Sequence, residues 1–209
     1  MKRAHDGFLK MMKGMDIVAV IYHHTLTINA PIGLDFMLRW QWVQSVSALD
    51  KLIHDLIRAG MVEIFQGKRP KTKKYGNFSI DMDTYNELLG NKGAVDVSFL
   101  AQTIFEKRVI AVHKKNSYQD AEHIADGLAC IWNEPHKWQV IADYLAMPEK
   151  NCKTKLNIIC SRRNQIVHQC DCQDSTFEPQ ELFNEDIIDI KQFILNLGSA
   201  IYNCVKLSS

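Results

Sequence analysis

Within seven residues, Arg162-Arg163-Asn164-Gln165-Ile166-Val167-His168 gathers two fixed cations, an amide and an imidazole. Together these groups can break a phosphodiester without a metal. In RNA the 2′-hydroxyl must lose a proton as it attacks the adjacent phosphorus, and the 5′-oxygen must gain one as it leaves. Histidine titrates near neutral pH and can do either job. Arginine keeps its charge and offers a fork of donors that matches phosphate oxygens, so it can hold the charge that builds in the transition state. Asparagine can orient the imidazole or bond the phosphate. One set of these residues supplies one histidine, whereas both an acid and a base are useful. Two chains related by a two-fold axis would bring two sets into one cleft.

The spacing constrains how the groups meet. Asn164 and His168 are i, i+4 and share a helix face. Arg163 and His168 are five apart, about 140° around an ideal helix at roughly 100° per residue. They therefore do not share a stripe, and the arginine must wrap towards the histidine near a helix end. A basic pair followed by a histidine is also the ordinary make-up of a solvated helix face.

The elements that must position these groups read as helices throughout. From about Leu34 to Phe65, apolar residues recur at steps of three and four: Phe36, Leu38, Trp42, Val46, Leu49, Leu52, Ile53, Leu56, Ile57 and Met61. Pro31 and Gly33 precede this segment, and Gly67 and Pro70 follow it, as start and stop signals. Phe8 to Tyr22 reads as one helix with Asp6 as its N-cap. Met82 to Leu89 reads as a short helix ended by Gly90-Asn91-Lys92-Gly93, and Val95 to His113 is helical again. Ser117 serves as an N-cap with Asp120 in the first turn. Pro135 and Pro148 each open a helix. The last helix runs from about Pro179 to Val205 with a broad apolar stripe. Val62 to Phe65 reads as a helix end, not a strand. With no βαβ alternation and no repeat, the expected architecture is an all-α bundle of long antiparallel helices. Residues 1–33 would form an N-terminal helical extension and residues 34–209 the main domain.

Several features compete for the function. Gly67 to Gly76 reads as a polar loop with five basic residues, Lys68, Arg69, Lys71, Lys73 and Lys74, and no acid. It could track a phosphate backbone, or simply be solvated. His168-x-Cys170-x-Cys172 has zinc-ligand residue types, but structural zinc sites usually use Cys-x2-Cys and a second pair, so ordinary thiols are expected. His5, His23 and His24 lack acidic or Cys partners at helical spacing and read as surface. Trp132, His136 and Trp138 read as packing around a turn. No metal and no cofactor are expected.

The whole chain of 209 residues can bury a sizeable core. Its formal net charge of +1 gives no global basic field, so a nucleic acid would have to be held by a local patch. No apolar run approaches the roughly 18 residues needed to span a bilayer. No signal peptide is recognised, and six cysteines without a framework pattern suit a reducing cytoplasm.

At this point the sequence resembles a known family. Arg163-Asn164-Gln165-Ile166-Val167-His168 is similar to the Arg-x4-6-His motif of the HEPN superfamily, in the form with Asn after the Arg. The Trp42–Leu56 stretch, with Leu49-Asp50 and His54-Asp55, resembles the Leu-Asp-x3-His-Asp pattern of the RiboL-PSP-HEPN branch. Gly67 to Phe78 fits the same branch, so the likeness runs from about Leu34 to the chain end. The resemblance implies an all-helical, usually dimeric, metal-independent endoribonuclease of toxin–antitoxin or antiviral defence systems. It implies Arg163 and His168 as the catalytic pair, with Asn164 supporting and Arg162, Asp50 and His54 as further supporting candidates. Asp50 and His54 are themselves i, i+4, a spacing that suits a carboxylate fixing an imidazole tautomer. The implied partners are an RNA substrate, a second copy of the chain and a cognate antitoxin or other regulatory protein. The alternative is a non-catalytic HEPN-like module that binds RNA, a nucleotide or a protein.

Overall fold

The computed structural model describes residues 1–28, 34–90, 97–173 and 175–207. Among these the secondary structure is helical, apart from a lone antiparallel bridge between Cys172 and Pro179. The elements are α1 (Lys2–Gly14), α2 (Asp16–Thr27), α3 (Asp35–Phe65), α4 (Lys73–Gly76), α5 (Met82–Gly90), α6 (Val97–His113), α7 (Ala121–Leu128), α8 (Lys137–Tyr144), α9 (Glu149–His168) and α10 (Asn184–Leu207). The expected all-α architecture is what the structure shows. Pro31, Gly33, Asn91, Gly93 and Val95, read from sequence as boundary signals, lie outside the described residues.

α3 is the axis of the fold. It packs against α1, α6, α7, α9 and α10. Leu38, Trp42, Val46, Leu49, Leu52, Ile53, Leu56, Ile57 and Met61 are all buried, as their helical spacing predicts, whereas Phe36, read on the same stripe, is exposed near the start of the helix. Burying each such side chain is worth about 1.5–3 kcal/mol. α10 supplies the facing stripe through Ile190, Ile194, Leu197 and Ile201. α1 belongs to the same core. Phe8 is fully buried, and its ring lies so close to Gly198 that a Cβ there would come within 2.5 Å of it. The absent side chain at Gly198 is what lets α1 sit down on α10.

Several boundaries differ from the sequence reading. α8 begins at Lys137, two residues after Pro135, and Pro148 is the N-cap of α9 instead of its first residue. The segment read as one helix over Phe8–Tyr22 is two, α1 and α2. Gly14 weakens the helix, and Met15 turns its side chain into the core, where Ser45 donates to its sulfur at 3.7 Å. Asp6 lies inside α1 and caps nothing. The cap of α7 is Asp120, whose Oδ1 accepts from the His123 N–H at 2.9 Å. Ser117 lies outside that helix, in a loop held by Asp50 Oδ1, which accepts the Tyr118 N–H at 2.6 Å. α10 starts at Asn184 instead of Pro179, since Gln180 is tied into the preceding loop. Its N–H donates to the Asp171 carbonyl at 2.8 Å and its carbonyl accepts from Arg39 at 2.5 Å. Finally, the stretch read as a loop over 67–76 contains the single turn α4. Thr72 caps it by accepting from the Tyr75 N–H at 2.9 Å. Gly67, at φ +72, supplies the left-handed residue that ends α3.

Candidate active site

α9 carries the candidate motif, and α3 sets its rotation. The Trp42 indole N–H on α3 donates to the Ile159 carbonyl at 2.9 Å. One turn on, the Arg162 guanidinium lies over the Trp42 ring, 5.8 Å from its centroid. Arg162 then reaches Asp171, which is 0% exposed. Its Nη2 donates to Oδ2 at 2.9 Å, and its Nε lies 2.6 Å from Oδ1. From the other side Arg39 Nε donates to the same Oδ2 at 2.9 Å. Asp171 is thus held between two arginines. To bring it inward, the chain leaves α9 through two left-handed residues, Cys170 (φ 53) and Asp171 (φ 57). Such a conformation is unusual for non-glycine residues, and the buried ion triad over-determines it. This arrangement ends α9 at His168.

The two arginines of the motif therefore have separate fates. Arg162 is committed to the interior. Arg163 is half-buried on the other side. Its Nη1 donates to Asn164 Oδ1 at 3.1 Å, while its Nε is buried without a hydrogen-bond partner among the described residues. Asn164 lies on the wall of a polar cleft of about 560 Å³. Asn157, Cys160 and Ser161 of α9 form the same wall, residues 115–120 and His123 and Asp126 of α7 the other. Asn157, Ser161, Asn164 and His168 fall on one stripe of α9, since their spacings of four, three and four return to nearly the same angle. His168 is exposed at the open end of that stripe.

The cleft also contains a thiol, Cys160, but it is no nucleophile. Burial, with added repulsion from Asp120, pushes it up to about 12 against the pull of Arg163, and only a thiolate attacks effectively. His123, across the cleft, is held by Asp120 through Nδ1 at 2.6 Å.

Asp50 and His54 sit one layer away. Asp50 does not fix the His54 ring, because His54 Nε2 is 3.9 Å from Asp50 Oδ1, beyond hydrogen-bonding range. That Oδ1 accepts instead from Tyr118 N–H, so Asp50 anchors the loop that forms the cleft wall. The His54 ring stands edge-on to Tyr118, with centroids 4.7 Å apart. Its own opening is towards a second cleft between α3 and α6. The Tyr118 hydroxyl meets His113 Nδ1 at 2.5 Å and Asn116 Nδ2 at 3.0 Å.

The five basic residues of the 67–76 stretch are not one surface. Arg69, read as an RNA contact, is buried. It donates through Nε to Glu63 at 3.1 Å and through Nη1 to the carbonyls of Ile131 and Val205 at 3.3 and 3.2 Å. It ties the end of α3 to the α7–α8 loop and to α10, and no phosphate reaches it. Lys74 is half-buried and paired with Asp126. Lys68, Lys71 and Lys73 remain exposed. His5, read as surface, is instead half-buried and stacked on Tyr202, 4.2 Å between centroids, with Nε2 3.2 Å from Ser199 Oγ. His23 and His24 are exposed as read, and Trp132 and Trp138 are buried.

Sequence reasoning missed Asp171, Tyr118, His113 and the Asp120–His123 pair. The polar stripe through Asn157 and Ser161 was visible in the spacing. Asp171 gave no local signal, since its partner Arg39 is 132 positions away. Among the described residues no group of three His, Cys, Asp or Glu side chains is placed to hold a metal ion. No helix among them is long and apolar enough to cross a membrane.

Compared with models of known families, the chain matches RiboL-PSP-HEPN over residues 15–207. No curated protein and no solved structure matches it.

Proposed function

The chain belongs to the RiboL-PSP-HEPN family of the HEPN superfamily, and from that premise we propose that it is a metal-independent endoribonuclease whose catalytic group set is Arg163, Asn164 and His168. The observation that carries this reading is the division of labour between adjacent arginines. Arg162 is used up by Asp171, whereas Arg163 meets no carboxylate and bonds only its neighbour Asn164, through Nη1. Asn164, its partner, lines a polar cleft of about 560 Å³ that would take part of a nucleotide strand.

In the reaction, the RNA 2′-oxygen bonds to phosphorus and the P–O5′ bond breaks. A histidine takes the 2′-hydroxyl proton and a second proton goes to the departing 5′-oxygen. The products are a 2′,3′-cyclic phosphate and a 5′-hydroxyl. Arg163 donates to the non-bridging oxygens as their charge rises, and Asn164 keeps the guanidinium turned towards them. The enzyme acts as a homodimer in which the His168 of each chain serves one composite site, one as base and one as acid. Val167 leaves an apolar side chain exposed on α9 next to His168, which a second copy would cover. The setting is a toxin or defence system, with a regulatory protein such as an antitoxin holding the activity in check.

Replacing His168 with Ala should lower cleavage of labelled RNA in EDTA by about 10²–10⁴-fold while leaving circular dichroism and the oligomeric state unchanged, because the ring is exposed. Cleavage at the wild-type rate by that variant sinks the mechanism. Wild-type protein that binds RNA tightly and leaves it intact points to a binding module instead.

A further inference from the structure

The second cleft, between α3 and α6, holds a feature that the cleavage chemistry does not use. Its volume is about 300 Å³, and Lys51, His54, Arg58, His113 and Lys114 line it together with Asp55. His113 is only 8% exposed, and its Nε2 is buried with no hydrogen-bond partner among the described residues. A buried polar nitrogen without a partner costs about 1–3 kcal/mol and calls for an explanation.

The tautomer follows from the neighbours. Asn116 Nδ2 donates to the Tyr118 phenol oxygen at 3.0 Å, and the phenol proton is then directed at His113 Nδ1, 2.5 Å away. With the phenol proton on that bond, the imidazole's own proton is on Nε2, and this is the tautomer on which the proposal below rests. Burial, helped by His54 and Lys74, holds this ring below the usual histidine range and so neutral. The unmatched group is thus an N–H donor, and what would satisfy it is an acceptor.

The charges around it choose the kind of acceptor. Asp55 is already committed, to Lys51 at 2.5 Å and to Arg58 at 3.3 Å. Arg58 also meets Glu106 at 3.3 Å. Lys114 has no acidic partner among the described residues, and with Lys51 and Arg58 it makes three cations against one carboxylate on the cleft wall. We propose that this cleft is a phosphate-oxyanion subsite, in which the His113 Nε2–H and the Lys114 ammonium hold the oxygens and His54 closes the side towards Tyr118.

Two sources share that chemistry: the backbone phosphate of an RNA strand and the phosphate of a free nucleotide. Tyr118 connects the subsite to the cleft beside Arg163, since its ring meets His54 and its own position lines that cleft. The inference rests on the ribonuclease reading only in naming RNA as one of the two sources.

The test measures binding, not cleavage. The imidazole nitrogens of His113 are followed by ¹H–¹⁵N NMR while inorganic phosphate, a nucleoside 5′-monophosphate or a 2′-O-methyl oligoribonucleotide is added. The last has no free 2′-hydroxyl and cannot be cut. A saturable shift of His113 Nε2, absent with chloride at matched ionic strength and weakened at least fivefold by Lys114→Glu, supports the site. Lys114 is exposed, so this variant keeps the fold. Saturation by the oligonucleotide identifies the RNA backbone as the source, and saturation by the mononucleotide alone identifies a free nucleotide. A His113 signal unmoved by all three ligands overturns the site, as does binding that Lys114→Glu leaves unchanged. A wild-type protein that fails to cut RNA but passes this titration would refute the ribonuclease reading and leave the subsite standing.

Discussion

The stretch Lys68–Lys74 and the pair Arg162–Arg163 offer the same side-chain chemistry to a phosphate, and the fold sorts both in the same way. In each, one arginine turns inward to a complete set of acceptors. Arg69 finds Glu63 and two backbone carbonyls, and Arg162 finds Asp171 and the Glu181 carbonyl. In each, cations are left outside: Lys68, Lys71 and Lys73 in the first, Arg163 in the second. The difference lies in what surrounds the cations left over. The lysines stand on an open surface. Arg163 is bonded to Asn164, which lines a concave polar wall. An exposed lysine adds long-range attraction that salt screens. A positioned arginine in a cleft can act on one phosphate at a time.

That contrast can be broken experimentally at several points. The largest effect is expected from Asp171→Ala, which leaves the buried Arg39 and the part-buried Arg162 without their common anion. Removing one partner of a buried ion cluster costs about 3–5 kcal/mol, read as a lower urea midpoint. An unchanged midpoint would mean that the triad does not hold the end of α9. Arg69→Met should follow, at about 2–3 kcal/mol, because two carbonyls lose their donor and Glu63 its cation. RNA affinity lost at full stability would instead return Arg69 to the surface role read from its sequence. The smallest effect belongs to Lys71→Ala with Lys73→Ala. Stability should stay within about 0.5 kcal/mol, while the salt dependence of RNA binding should flatten by about 0.7 per lysine that contacts a single-stranded phosphate. An unchanged slope would remove this stretch from the RNA path.

How much of this was legible in the sequence depends on the range of the signal. α3 could be read almost residue by residue, since its buried positions recur at steps of three and four and its far end is punctuated by Gly67. The α1–α2 break and the late start of α10 could not be read. Each involves a distant partner, Ser45 beside the Met15 sulfur and Arg39 taking the Gln180 carbonyl. On α9 the motif stood out by residue type, and the stripe through Asn157, Ser161, Asn164 and His168 was present in the spacing. Nothing local told Arg162 from Arg163, or marked Arg69 as the buried member of a basic run.

By itself the sequence determined the helical class, the length and buried stripe of α3, the family pattern and the stripe of α9 on which Asn164 and His168 lie, because periodicity and motif spacing are properties of neighbouring residues. Only the tertiary structure decided which cations are available to a phosphate. A guanidinium turns inward when a buried carboxylate or a set of free carbonyls meets it. Asp171 meets Arg39 across 132 positions and Arg69 meets Val205 across 136, and such partners are brought together only by the packing of the helices between them.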